Sequence, residues 1–559
     1  MYDSIEIKAT GDVKNETARL RNLILEWLAE KGFAGGGREA YNLTLSFDAA
    51  VKGQGYRFTV SENAGTVSAS CLAGMFAGAG YFLFNSGLSG GRLVPACKPT
   101  ESYPALKVRG MYLATHFHNF YHEAPLPEVL RYVEELALWG FNTLNVWFDM
   151  HHYTGMDDPE AMRMVERLRG ILLKAQESGM SPCIGGIANE GFSTTPEELK
   201  ADWRAGQNGY HSEPVGHYHV EVCPNAPGGT EFILKTREDM CRAFDGVNFK
   251  YVWVWPYDQG GCTCSKCAPW GSEGYIKTAP LVAEVFKRHF PDAEVVLSVW
   301  DFDEFVPGEI DGFKKSFKNE NGYASYILCE PRGQYDSLPI KNGEIRGLPM
   351  IGFPEISMRH ATPWGGFGAN PLPRYIRHLW NVCRKDMQGG YPYSEGIYED
   401  VNKYIVSRIY WHGDYDVKEA LAEYARAYFS DDNADAIVRC LIEMEITLER
   451  HMVAGENAVN PFTNYLPEER VGHGVRNIIK TPAFCDDVYK TIKKCDDAMP
   501  REKRESWRWR VIYLRALIDR ELVDNGYYET EALREAYMEL IRIYHADNAD
   551  FAVRPPIAE

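Results

Sequence analysis

The chain has 559 residues, 45% apolar and 25% charged, an ordinary globular composition that accommodates about three domains, or one large barrel with two additions. Lysine and arginine total 60 against 78 acidic residues, a formal net charge of −18. This argues against a nucleic-acid backbone or an anionic membrane as partner, though local arginines would still admit an anionic small substrate. No stretch approaches the roughly 20 apolar residues that span a bilayer. The opening MYDSIEIKATGDVKNE lacks the basic and apolar regions of a signal peptide, so the expectation is a cytoplasmic protein, or an exported one whose signal has been removed. Thirteen scattered cysteines, an odd count, favour reduced thiols over a disulfide framework.

Residues 1–103 read as a small α/β domain. Thr17–Lys31 carries Leu20, Leu23, Ile24 and Leu28 at helical spacing, and AGGGRE then breaks the pattern. Tyr41–Phe47, Tyr56–Val60 and Thr66–Ser70 alternate like strands, and LAGMFAGAGYFLFNSG reads as a helix of small and aromatic residues.

Residues 104–405 repeat strand, loop and helix. Eight strands are expected at Lys107–Ala114, Thr143–Phe148, Ser181–Ile187, Tyr251–Trp255, Glu294–Trp300, Tyr323–Leu328, Pro349–Phe353 and Gly389–Tyr393. Helical patterns such as PLPEVLRYVEELALWG and TAPLVAEVFKRHF lie between them. Eight alternations favour a closed (β/α)₈ TIM barrel over an open doubly wound sheet. No G-x-G-x-x-G follows any strand, which weakens a dinucleotide-binding reading. After about Asp400 no strands are expected; segments such as VKEALAEYARAYF and RWRVIYLRALIDRELVDNG have helical periodicity, and residues 406–559 read as a helical domain.

Active sites of such barrels lie at the C-terminal ends of the strands. Those ends read ATHFHNFYH, FDMHHY, ANEGF, PYDQGG, DFDEF, CEPRG, PEISM and SEGIYED, so nearly every one carries a carboxylate, a histidine or both. Glycoside cleavage needs one carboxyl group to protonate the leaving oxygen and a second group to attack or stabilise the anomeric carbon. Asp258 and Glu355, each behind an apolar strand, are the leading catalytic pair, with Asp258 as proton donor and Glu355 as nucleophile or base. Glu395 is the reserve, and Glu190 is a further polar group for substrate. Glu399 and Asp400 suit the N-terminal charges of the next helix. His116 and His118 suit the positioning of sugar hydroxyls. Their H-x-H spacing also fits barrel metallohydrolases, but the fifth and sixth strand ends contain no histidine to complete that metal set. No metal or other cofactor is therefore expected in catalysis. Trp253 and Trp255 should alternate into the barrel, whereas Trp300 and Trp364 suit the stacking of a sugar ring. Arg109 lies within the first strand, where a buried guanidinium needs an acidic partner or a ligand; substrate hydroxyls or a carboxylate are the expected ligand, and a structural ion pair is the alternative.

The segment GGCTCSKCAPWG holds Cys262, Cys264 and Cys267 in a C-x-C-x-x-C pattern compatible with metal binding. A closed zinc site needs a fourth ligand, and no second cysteine pair stands at the usual distance. A loop held by packing, or by one disulfide under oxidation, is the preferred reading.

YPALKVRGMYLATHFH followed by LPEVLRYVEELALWGFNTLNVWFDMHHY resembles the start of the barrel in family 20 β-hexosaminidases. The resemblance implies that Arg109 and Asp149 contact substrate. The order of small α/β domain, barrel and helical domain is similar to family 67 α-glucuronidases and family 84 β-N-acetylglucosaminidases. YDQGGCTCSKC and YSEGIYEDVN are similar to strand ends in barrel families that include the family 163 endo-β-N-acetylglucosaminidases. Family 20 has an Asp-Glu pair after the fourth strand and family 84 has two Asp, where this chain has Asp258-Gln259; glutamine cannot act as a general acid. The reading is a glycoside hydrolase with a carbohydrate substrate, an N-acetylhexosaminide by resemblance. The alternatives are a hydrolase of uronic acid glycosides and a non-catalytic carbohydrate-binding barrel. Self-association into a homo-oligomer is compatible with it.

Overall fold

The computed structural model describes residues 1–10, 17–116, 119–202, 220–257, 261–303, 306–330, 338–356, 369–394, 396–446, 448–450, 477–479, 482–526 and 528–546. Near the N-terminus, five strands form one sheet in the order Ser4–Thr10, Ala40–Phe47, Ala64–Ala69, Tyr56–Ser61 and Thr100–Ser102. The first three run parallel, and Tyr56–Ser61 is antiparallel to both of its neighbours. The edge strand Ser4–Thr10 was not among the expected elements, although Ile5, Ile7 and Ala9 alternate. Helix Leu72–Phe84 packs against this sheet and reaches the barrel on its other side. A β-carbon on Gly80 would stand 2.0 Å from the carbonyl oxygen of Leu138, so this small residue permits backbone-to-backbone approach between the layers.

Eight parallel strands follow and close on themselves: Val108–Leu113, Thr143–Trp147, Ser181–Ile187, Tyr251–Trp255, Glu294–Ser298, Ala324–Cys329, Met350–Gly352 and Met387–Gly390, the last continued by Tyr393–Ser394. The assembly is a (β/α)₈ barrel, as the strand count implied. Helices such as Leu126–Leu138, Pro159–Glu177, Gly229–Ala243 and Tyr275–His289 stand between successive strands.

The period of two sorts the side chains. On the first strand, Val108, Tyr112 and Ala114 join the barrel interior, while Met111 and Leu113 join the layer beneath the helices. The interior is filled largely by rings, including Tyr112, Trp147, Tyr251, Trp253, Trp255, Tyr326, Phe353 and Tyr391.

Closure depends on Gly389. It adopts φ +122°, and a β-carbon there would lie 1.6 Å from the Val108 carbonyl oxygen. Gly389 and Gly390 pair with Val108 and Arg109. The ladder is interrupted at Tyr391–Pro392 and resumes where Tyr393 and Ser394 pair with Tyr112 and Leu113.

After the barrel, helices Asp400–His412, Val417–Tyr428, Ala434–Ile446, Pro482–Ala498, Trp507–Asp524 and Glu531–Tyr544 continue the chain. A buried ionic hub joins them to the barrel. Asp400 accepts hydrogen bonds from Tyr132 (2.7 Å), Tyr424 (2.6 Å) and Arg508 Nε (2.8 Å), and Arg508 also pairs with Glu135 on helix Leu126–Leu138. Asp400 does begin a helix, but its carboxylate is spent on this hub and not simply on the helix terminus. Among the described residues, no helix is long and apolar enough to cross a membrane.

Replacing Gly389 with alanine should cost more than about 3 kcal/mol, among the larger single-residue effects. Thermal unfolding measures this directly, and an unchanged melting temperature would refute the closure argument.

Candidate active site at the barrel mouth

The residues following the strands build the candidate site. After the second strand, Asp149 keeps the inward parity of Trp147, and its Oδ1 accepts a hydrogen bond from Trp147 Nε1 at 2.8 Å. His151 and His152 come next in a short helical turn. His151 Nδ1 lies 3.6 Å from Asp149 Oδ1 and 3.0 Å from Glu190 Oε1, and its backbone N–H also donates to Glu190 Oε1 at 3.2 Å. Glu190, fully buried after the third strand, therefore shares one imidazole with Asp149. His152 Nε2 stands 3.5 Å from Asp149 Oδ2, with two-fifths of its side chain exposed. The described residues thus bring Asp149 and Glu190 together through His151, a residue that chemistry at the strand end did not single out beforehand. Its signal was the doubled histidine in FDMHHY.

An aromatic layer connects this cluster to the opposite rim. Trp147 meets Trp255 edge-on at 5.8 Å, and Trp255 lies 5.4 Å from Trp300 and 5.2 Å from Phe353. Phe353 in turn meets Tyr393 at 5.6 Å. Trp253 and Trp255 both point into the barrel, whereas Trp300 is only partly buried at its upper edge. His116, nearly buried, packs 6.0 Å from the Trp147 ring.

Glu355 follows the seventh strand with the same parity as Ile351 and Phe353, which face inward. It is 6% exposed and forms a parallel bridge with Tyr393. Its base is fixed by Asn402, whose Nδ2 donates to Ile356 O at 2.9 Å and to Asn370 O at 2.8 Å, while its Oδ1 accepts from Leu372 N at 2.8 Å. One side chain thus holds both ends of the loop after the seventh strand. The segment after the eighth strand is held similarly. Tyr121 OH lies 2.6 Å from Ser394 Oγ and donates to Gly396 O at 2.6 Å. The buried Lys403 ammonium donates to Tyr121 OH at 2.7 Å and to Tyr132 OH at 3.0 Å. Burial lowers the Lys403 pKa to about 8, against the opposing pull of Glu399 and Asp400. Asp258, His118, Trp364 and Glu395 lie outside the described residues. Tyr257, immediately before Asp258, is buried.

Arg109 departs from the expectation. Its outward parity and its place at the start of the first strand turn it away from the mouth. Nε donates to Gly140 O at 2.8 Å, Nη1 to Leu106 O at 2.8 Å and Nη2 to Gln54 Oε1 at 2.7 Å. Its guanidinium also lies 5.2 Å from the Trp411 ring. These partners precede the strands, at the barrel's N-terminal end. The guanidinium found neutral acceptors and an aromatic face there in place of a ligand or an acid.

Glu309, the first residue of helix Glu309–Ser316, was not singled out from the sequence. Its Oε2 lies 2.6 Å from Tyr257 OH, and its Oε1 accepts from Gly271 N at 2.7 Å. Tyr257 OH is also 2.9 Å from Asp301 O. Tyr257 OH can donate its one proton to Glu309 Oε2 or to Asp301 O. Burial raises the Glu309 pKa from its ordinary 4.5 to about 7, outweighing the hydrogen bonds that lower it.

No protein-family model matches the sequence, and no curated protein matches it. Solved structures do match in fold. A family 89 glycoside hydrolase from Clostridium perfringens, in complex with 2-acetamido-1,2-dideoxynojirmycin, has a TM-score of 0.60 at 12% identity, covering 95% of this chain and 65% of that one. A family 138 enzyme targeting pectin rhamnogalacturonan II has a TM-score of 0.55 at 12% identity, covering 97% and 74%. The family 20 chitobiase of Flavobacterium johnsoniae has a TM-score of 0.55 at 11% identity, covering 96% and 93%. At such identities the likeness is one of fold.

The raised pKa of Glu309 sets a sign. A carboxyl group whose folded pKa lies above its unfolded value contributes stability that is present below about pH 4.5 and lost as pH rises through about 7. The full effect is on the order of 3 kcal/mol. Glu309→Gln should therefore gain stability relative to the parent as pH rises across that window. Denaturant unfolding at both ends of the window measures it, and a pH-independent difference would refute the assignment.

Proposed function

We propose that this protein is a glycoside hydrolase acting on an N-acetylhexosaminide, with Asp258 donating a proton to the leaving oxygen and Glu355 serving as nucleophile or base. The observation that carries this reading is the continuous rim from Glu190 through His151, Asp149 and Trp147 to Trp255, Trp300 and Phe353, with Glu355 beyond Tyr393. It combines hydrogen-bonding groups for sugar hydroxyls with the partly buried Trp300, set on the interior rings, for the apolar side of a pyranose.

The fold shared with three glycoside hydrolases supports the reaction class. The 2-acetamido compound bound by one of them, and the chitobiase name of another, support the choice of sugar. Asp149, Glu190, His116 and Trp300 are assigned to substrate. His118, Trp364 and Glu395, which follow the first, seventh and eighth strands in sequence, are assigned with them. Arg109 is not, because its donors are engaged at the other end of the barrel. That engagement also counts against a uronic acid substrate paired with it.

The roles make different kinetic demands. A good leaving group needs little protonation, so loss of the general acid should matter least for activated aryl glycosides. Asp258→Asn should lose about 10²–10⁴-fold on a natural N-acetylhexosaminide linkage and much less on an aryl N-acetylhexosaminide, while Glu355→Gln should lose activity on both. The reverse pattern would exchange the roles, and two fully active variants would move the pair to Glu395 and Glu190. A parent protein that binds such sugars without cleaving any would be a binding barrel.

In the same assays, Arg109→Lys should leave KM unchanged while lowering the melting temperature. A raised KM at unchanged stability would return Arg109 to the substrate.

A further inference from the structure

Four thiols meet beside the fourth strand end. Cys223 lies in the connection after the third strand, shortly before helix Gly229–Ala243, and Cys262, Cys264 and Cys267 lie in the connection after the fourth. Cys223 is 39 positions before Cys262 by their residue numbers, a spacing at which sequence alone does not pair them. All four are free of disulfides. One sulfur from each lies within 4.8 Å of every other. Cys223 Sγ stands 3.8 Å from Cys264 Sγ and 3.9 Å from Cys267 Sγ.

These separations discriminate between chemistries. A disulfide brings one pair of sulfurs to about 2.05 Å and leaves the other two unlinked. A tetrahedral tetrathiolate with zinc–sulfur bonds of about 2.3 Å places its sulfurs about 3.8 Å apart along every edge. Two of the observed edges agree with that figure, and the remaining four are no longer than 4.8 Å.

The surroundings also suit thiolates. Asn225 Nδ2 donates to Cys267 Sγ at 3.1 Å, the kind of outer hydrogen bond that orients and stabilises a ligating sulfur. The Cys267 and Ala268 amides both donate to Cys264 O, at 2.9 and 3.0 Å, folding the C-x-x-C segment into a tight turn. Cys223 N donates to Leu199 O at 2.8 Å, and Thr263 N donates to Asp202 O at 2.6 Å, so each connection is already registered against its neighbours. Cys223, Cys262 and Cys267 are buried, while Cys264 is partly exposed and gives an ion its route in.

We propose that Cys223, Cys262, Cys264 and Cys267 bind one zinc ion in a closed tetrathiolate site that fastens the third connection of the barrel to the fourth. On binding, each thiol releases its proton to solvent and no electrons are transferred. With four protein ligands the ion has no open position for substrate, so its role is structural. This departs from the expectation of a loop held by packing or by one disulfide. It does not depend on the proposed hydrolase activity.

The test uses the full chain, purified without chelator. Elemental analysis should find about one zinc per chain, released into a metallochromic dye when a mercurial reagent titrates the thiols. Cys223→Ser should lose most of that zinc and melt at a lower temperature, whereas Cys97→Ser, a partly buried cysteine of the N-terminal region, should retain it. Should Cys223→Ser fail to fold, alkylation of the native parent followed by mass spectrometry decides. Cys223, Cys262, Cys264 and Cys267 should resist alkylation with zinc present and react after its removal. A stable parent that holds no zinc, holds iron in its place, or carries a disulfide between any two of these cysteines would overturn the proposal.

Discussion

The close contact between Gly389 and the Val108 carbonyl is the constraint on which the rest of the barrel depends. A closed parallel sheet has to bring its last strand against its first, and here the backbone does so at a φ of +122° with no room for a side chain. The ladder then breaks at Tyr391–Pro392 and resumes at Tyr393–Ser394. Proline cannot supply the N–H that a continuous ladder would use. That break places Tyr393 higher on the barrel, where it bridges Glu355 and stacks its ring over Tyr112 at 5.4 Å. The seam that closes the barrel therefore also positions Glu355.

Above the seam, the mouth is held by buried polar side chains at the roots of its loops. Asn402 grips both ends of the segment after the seventh strand. Tyr121 and Lys403 grip the residues after the eighth, and Glu309 grips Tyr257 and Gly271 after the fourth. Each of these groups is buried and hydrogen-bonded, so displacing it would strand acceptors or donors without water. Loops that carry chemistry are commonly rooted in a rigid scaffold, and here two of the roots, Asn402 and Glu309, are single side chains supplied from further along the chain.

Much of this was legible in the sequence. The barrel strands stood out as short apolar runs of β-branched and aromatic residues, and TLNVW, SPCIGGI and YVWVW lie in strands with those bounds or within a residue of them. The strand ends likewise located Asp149, Glu190 and Glu355. What escaped was set by contacts between distant segments. The orientation of Arg109 followed from the parity of the first strand, since Val108 and Tyr112 face inward, but its partners Gln54 and Gly140 belong to other layers. Nothing local marked Asn402 or Glu309 as a loop anchor. Cys223 joined the other three cysteines only once the third and fourth connections lay side by side. Ser4–Thr10 was missed although its seven residues carry the alternation of Ile5, Ile7 and Ala9.

The ionic hub at Asp400 has a consequence for how this molecule comes apart. Its two carboxylates lie on a barrel helix (Glu135) and on the first helix after the barrel (Asp400), while their cation, Arg508, arrives from a helix more than a hundred residues after Asp400. Released from that helix, both acids would lose the cation they share, leaving Glu135 with Arg131 at 3.3 Å and Asp400 with its two tyrosine donors, a poorer balance for buried charges. The later helices are therefore not an appendage that a protease could trim without effect. Barrel and helices should melt as one cooperative unit, and a fragment ending after helix Asp400–His412 would carry both acids without the cation they share.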